Sequence, residues 1–191
     1  MNDNHLNYLI QIGNNDQGYV GNNSLNWGIS VLGKDTNLDP LLNRQFNRYE
    51  LFDYCQNENN DDLNILIAIL SWGGMRRDHG RRLFENKKVI LGIVGQLRNG
   101  NFETRQQAFE VFQNERKNKI LPGLGIGYFT KLICFLAPNL NGYIMDQWVA
   151  KSINLLTDTT IVNLTSNNWV NDYNDSNTYE TFCLHVDNLA Q

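Results

Sequence analysis

The sequence predicts an all-α protein, organised as one domain over residues 1–191, on three observations. Apolar residues recur at helical spacing from Leu41 onward, and the breaks between these stretches are short and made of Gly, Asn and Pro. Period-2 alternation is confined to Thr159-Thr160-Ile161-Val162. A chain of 191 residues, 41% of them apolar, can bury roughly 70% of its unfolded surface, so the core needs neither metal nor disulfide.

Residues 1–40 are rich in Gly, Asn and Asp, with only short apolar stretches such as Tyr8-Leu9-Ile10, and are expected to be irregular with at most a turn of helix. Phe46, Tyr49, Leu51, Phe52 and Tyr54 mark a first helix. Asn60-Asp61-Asp62 supplies caps for a second, which runs to Trp72, is apolar nearly all round and is therefore expected in the core. Gly73-Gly74, Asn86 and Asn99-Gly100 punctuate helices expected at about 76–85, 89–98 and 103–117. Residues 120–125 break the pattern. A helix over about 126–137 stops at Pro138, and another covers about 147–155. Residues 41–155 thus read as one helical lobe, followed by a linker rich in Thr and Asn and a last helix over 179–189.

No uninterrupted apolar run exceeds the six residues 65–70, far short of the roughly 20 that span a bilayer, and the opening Met-Asn-Asp-Asn-His is neither basic nor apolar. Membrane insertion is not expected. Cys55, Cys134 and Cys183 are odd in number and widely spaced, which fits neither a disulfide framework nor a zinc or iron–sulfur site and favours a reducing, cytoplasmic setting. His79 and His185 have no ligand spacing, so no metal or cofactor is expected. The net charge of −4 argues at first against nucleic acid. Its distribution argues the other way: between Arg76 and Lys151 there are 13 basic against 6 acidic residues, while the flanks hold 3 basic and 14 acidic ones. A basic middle in an acidic frame suits a phosphate-binding face, and scattered solvated helix surfaces account for it equally well.

Leu121-Pro122-Gly123-Leu124-Gly125 lies between two helical patterns. Pro122 ends one helix, and Gly123 and Gly125 permit backbone angles and close approach that side chains forbid. The next helix then begins with bare amides, a ready site for a DNA phosphate that reads no sequence. Asp146 follows Pro122 by 24 residues, in Gly142-Tyr143-Ile144-Met145-Asp146-Gln147-Trp148-Val149-Ala150-Lys151. It stands where an N-cap belongs, and a helix N-terminus is a favourable place for negative charge. Such a carboxylate is an ordinary cap or, in a cleft, a group that stabilises an oxocarbenium-like sugar or orients a nucleophile.

Over about residues 115–155 these motifs resemble the helix-hairpin-helix DNA glycosylases, above all the 8-oxoguanine glycosylase branch. There an LPGVG hairpin precedes a catalytic aspartate at the same distance. Small bacterial forms that occur among antiphage systems are the most similar, because they too lack an N-terminal β-domain. The resemblance implies a two-lobed helical fold with hairpin and aspartate at a cleft, and cleavage of the N-glycosidic bond of a modified base in double-stranded DNA. It assigns backbone binding to Gly123, Gly125, Gly127, Arg76, Arg77 and Arg81, and catalysis to Asp146. The chain departs from the pattern at Gly127, where bifunctional relatives carry the Schiff-base lysine. Lys131 lies one turn further on the same face, and helical side chains lean toward the N-terminus, so its amine can reach back about 5.4 Å over Gly127. A snorkelling surface lysine is the plainer alternative. Trp72, Met75 and Arg76 fall where such enzymes fill the gap left by a flipped nucleotide, with Trp72 and Met75 equally suited to the core. Tyr179, Phe182 and Cys183 fall where they enclose the extruded base, although one helix face of this kind is more often core. Beside a monomeric glycosylase stand a non-catalytic DNA- or nucleobase-binding module on the same scaffold and a helical protein-interaction domain.

Overall fold

The computed structural model describes residues 2–13 and 18–189. Its centre is α4 (Asp62–Trp72), whose residues from Ile65 to Ser71 are fully shielded from solvent. A helix apolar all round must be covered on every side, and here α2 (Ser24–Leu32), α3 (Arg48–Gln56), α6 (Lys87–Arg98) and α8 (Ile126–Leu136) all pack on it. α5 (Arg77–Phe84), α7 (Arg105–Lys117), α9 (Gln147–Thr157) and α10 (Ser176–Leu189) complete the sequence of helices after α1 (Asp3–Gly13). Among the described residues there is no strand, only one isolated bridge between Leu164 and Val170. The all-α expectation holds.

Local chemistry sets the helix starts. Asn47 and Glu50 form a reciprocal capping box on α3, and Asp61 accepts from the Asn64 amide at 2.9 Å to open α4. α10 begins three residues earlier than expected because the Asp175 carboxylate accepts from the Thr178 amide at 2.8 Å.

The first 40 residues differ from the irregular segment expected of them; residues 14–17 lie outside the described part. α1 docks on α9, with the Asn2 amide donating to the Leu156 carbonyl at 2.7 Å. α2 is stabilised by its tertiary setting. Its Gly28 sits so close to α4 that a Cβ would fall 2.8 Å from Leu38 Cδ1 and 3.1 Å from Ile67 Cγ2, and Trp27 is buried with its indole donating to the Met75 carbonyl at 2.7 Å. Low intrinsic propensity is outweighed by such packing.

The stretch from Thr159 to Val162 forms no strand; the amides of Ile161 and Val162 both donate to Asn154 Oδ1 of α9. The acidic flank turns back on the basic middle: Arg105, 8% exposed, binds Glu180 and Asp187 of α10 at 2.7 and 3.0 Å, and Arg116 makes a bidentate pair with Asp172.

Candidate active site

The turn between α7 and α8 is held by Leu121 and Leu124, both buried. Gly123 has φ +81, and a Cβ there would stand 3.0 Å from His79 Cβ and 3.1 Å from the His79 carbonyl of α5. Only glycine allows both that backbone and that contact. Gly125 precedes α8 and no side chain caps the helix, so its first turn starts on bare backbone donors. Gly125 has nothing within 4 Å of its Cβ position.

One turn into α8, the Lys131 side chain runs back toward this turn. Its Nζ donates to the Gly127 carbonyl at 2.9 Å and to Asp146 Oδ2 at 3.0 Å. Two glycines make room for this arrangement. A Cβ on Gly73, at the end of α4, would meet Lys131 Cδ at 3.1 Å, and one on Gly127 would meet Asp146 Cβ at 3.2 Å. Asp146 divides its oxygens between two tasks, since Oδ1 accepts from the Trp148 and Val149 amides at 3.1 and 3.2 Å and caps α9. The neighbouring Met145 amide donates to Thr130 Oγ1 at 3.0 Å, so successive residues of α8 hold successive residues of the segment that leads into α9. The lysine side chain is 9% exposed and the aspartate 27%, which leaves the carboxylate as the more open member of the pair.

Both line a cleft of about 560 Å³, together with Tyr19, Trp72, Tyr128, Trp148 and Trp169. Tyr19 donates to the Trp72 carbonyl at 2.7 Å and packs edge-on against its ring. Burial, and after it the negative charge of Asp146, raises the Tyr19 phenol above its ordinary value; burial and then Tyr19 do the same for Tyr128. Both therefore stay protonated at neutral pH. The cleft thus joins a cationic amine, a carboxylate and neutral aromatic surface next to the bare start of a helix.

The other expected site residues are placed less uniformly. Trp72 lines the cleft, yet its ring is enclosed by Tyr19 and Phe135 and is 6% exposed. Met75 is 2% exposed and accepts the Trp27 indole at its carbonyl; it borders a smaller pocket with Trp27, Arg76 and Arg77 and not the Lys131–Asp146 cleft, so a buried Met75 does not fit the wedge expectation. Tyr179, Phe182 and Cys183 are core residues, with Tyr179 stacked on Phe109 and its hydroxyl donating to the Tyr143 carbonyl at 3.0 Å. The base-pocket expectation is corrected for all three: α10 turns its apolar face to α7, away from the Lys131–Asp146 cleft. Arg76 pairs with Asp78, whereas Arg77 and Arg81 bond Ser30; all three guanidinium groups are exposed on the surface and line no part of this cleft. Among the described residues, Arg77, Arg81, Lys87, Lys88, Lys117, Lys119 and Lys151 make no ion pair; these, not the full count of 13, make up the basic surface. Tyr19, Gly73, Tyr128, Trp148 and Trp169 were missed from sequence. Trp148 was within reach, two residues after Asp146; Trp169 sits in a Thr/Asn-rich stretch with no periodicity to mark it.

A family model described as "Putative 8-oxoguanine DNA glycosylase OGG-like protein" matches residues 24–191, from α2 to the end of the chain. No curated protein and no solved structure matches.

Proposed function

Since the chain belongs to the OGG-like family of 8-oxoguanine DNA glycosylases, we propose that it extrudes a modified base from double-stranded DNA and cleaves its N-glycosidic bond with Lys131 and Asp146. The observation that carries this reading is the pair itself, an amine 3.0 Å from a carboxylate in an aromatic cleft beside an uncapped helix start. The bare amides of α8 suit a DNA phosphate, which would bring the neighbouring sugar to the amine.

In the resting pair Lys131 is the donor and Asp146 the acceptor. Transfer of that proton to Asp146 frees the nitrogen lone pair, which forms a bond to C1′ while the glycosidic electron pair leaves with the base. The proton held by Asp146 passes to the departing base nitrogen, returning the carboxylate to stabilise positive charge on the sugar. The C1′–O4′ bond of this N,O-acetal then breaks, its electron pair leaving on O4′, which takes a proton from the lysine nitrogen, and the C1′=N Schiff base remains. Gly127, where bifunctional relatives carry their lysine, supplies space and a carbonyl to an amine that arrives from one turn further along.

A DNA-binding module without chemistry is the second reading, favoured by the fact that each member of the pair already satisfies the other. A panel of duplexes carrying 8-oxoguanine, uracil or hypermodified phage cytosine separates the two, and spans substrates of repair and of antiphage defence. Borohydride should trap a covalent protein–DNA adduct with the parent, and Lys131→Gln should lose both the adduct and base release. Base release without an adduct, unchanged in Lys131→Gln, leaves Asp146 activating water; no release from any duplex overturns the proposal.

A further inference from the structure

We infer that Trp169, presented by the loop between α9 and α10, is the face on which the extruded base stacks; this rests on the glycosylase reading of the same cleft. The argument is one of elimination among the cleft's aromatic side chains. Trp72 is enclosed edge-on by Tyr19 and Phe135, and Tyr19 is spent on Trp72. Tyr128 donates to the Gly74 carbonyl and lies under the Lys131 ammonium. Trp148 carries the Lys151 ammonium 4.9 Å over its ring. Trp169 alone among them has no ring or cation partner among the described residues, lines the cleft and is 61% exposed. α10, from which base stacking was expected, offers no side chain there.

The loop is built to hold the backbone that carries the indole still. The Thr165 amide donates to the Trp169 carbonyl at 2.7 Å, the Trp169 amide to Thr165 Oγ1 at 3.1 Å, and Asn168 makes the turn between them at φ +64. Below this tip the fully buried Asn174 clasps both sides, accepting from the Asn163 amide at 2.8 Å and donating to the carbonyls of Asn163 and Asn171. Gln113 and Arg116 of α7 fasten its base through the Asn174 carbonyl and the Asp172 carboxylate. An exposed indole on a loop fixed at this many points is a preorganised stacking platform, and base–aromatic stacking is tolerant of base identity because every base has a π-face. The phenol and indole walls and the amine–carboxylate pair would then choose the base, while Trp169 holds it in reach.

The test uses the full chain with Trp169→Ala and Trp169→Phe in two arms on the same duplex panel. In single-turnover base release, Trp169→Ala should raise the half-saturating concentration about tenfold or more, the effect of losing one base–aromatic stack, and Trp169→Phe should restore most of it. Melting temperature and affinity for unmodified duplex should stay at parental values. In the binding arm, a modified-base duplex should quench tryptophan fluorescence in Lys131→Gln and lose most of that quenching when Trp169→Ala is added. Release by the parent with Trp169→Ala unaltered in both arms overturns the stacking role. Absence of release from every duplex, with quenching that still depends on Trp169, overturns the glycosylase reading and keeps the stacking. A mass that falls from dimer to monomer in Trp169→Ala, with both DNA readouts intact, assigns the indole to a contact between copies and likewise overturns the inference.

Discussion

Replacing Asp146 in two ways separates its structural task from its chemical one. Asparagine caps helices about as well as aspartate, so Asp146→Asn keeps an oxygen toward the Trp148 and Val149 amides and loses the charge facing Lys131. The amine retains the Gly127 carbonyl and, because the carboxylate position is 27% exposed, gains access to cleft water. The expected cost is about 1 kcal/mol, below the 3–5 kcal/mol of breaking a fully buried pair, or roughly 2–4 °C in melting temperature for a chain of this size. Asp146→Ala loses the cap as well, adding about 1 kcal/mol and bringing the total to roughly 2 kcal/mol, or about 4–8 °C. Base release should fall at least about 100-fold in both, since neither side chain can take the Lys131 proton or stabilise a cationic sugar. Melting followed by fluorescence and single-turnover release on one modified duplex read the two effects separately. A parental rate in Asp146→Asn would remove the carboxylate from the mechanism, and an Asn variant as unstable as the Ala variant would refute the capping role.

Gly125→Val should lower melting temperature by only a few degrees, because the Cβ position is open and only the poorer N-cap costs stability, while weakening binding to all duplexes alike; a loss confined to one sequence would mean that the turn is not a backbone anchor. Gly123→Ala, by contrast, places a side chain in left-handed backbone against His79 and should cost about 1–2 kcal/mol in thermal unfolding. Arg105→Leu should cost about 3 kcal/mol, because it strips Glu180, Asp187 and the Asn141 carbonyl of their shared donor. Burial raises the Asp187 carboxyl, but the Tyr143 hydroxyl and Arg105 outweigh it and hold the group below its ordinary value. A folded value below the unfolded one adds stability that is full above the unfolded value, about pH 4, and is lost as pH falls through the folded value. The melting difference between parent and Arg105→Leu should therefore be flat from neutral pH to about pH 5 and shrink in more acid buffer.

What was legible in the sequence was what local chemistry dictates. The apolar run of α4, the Asp61 cap and the Pro–Gly turn before α8 could each be read from a few adjacent residues. Helices α1 and α2 were not, because their stability comes from partners far along the chain: Leu156 for the first, Ile67 and Met75 for the second. The same distinction runs through the site. Lys131 could be placed on the Gly127 face from helix geometry alone, since i and i+4 share a face, and its Nζ indeed lies 2.9 Å from the Gly127 carbonyl. The face that α10 presents depends on which helix it packs against, and a pattern of Tyr179, Phe182 and Cys183 reads identically for a core and for a pocket.

Gly73 shows where reading along the chain stops being informative. In sequence it is half of a Gly-Gly pair that ends α4, and a helix stop explains it fully. In space its missing side chain is the slot through which the Lys131 methylenes pass, 3.1 Å from where a Cβ would be. Gly127 clears the approach of Asp146 from the other side. Gly73 caps α4 and Gly127 lies in the first turn of α8, separated by three further helices and the Pro–Gly turn, and neither is explained by the other until α4 and α8 are packed together. An amine displaced by one turn reaches the carboxylate along a path that both positions leave clear by lacking a side chain. The unusual place of the lysine and the glycines around it are therefore one feature: a Cβ at either position would crowd Lys131 or Asp146 and make it shift by a few tenths of an ångström, in a pair that the proposed chemistry needs within hydrogen-bond reach.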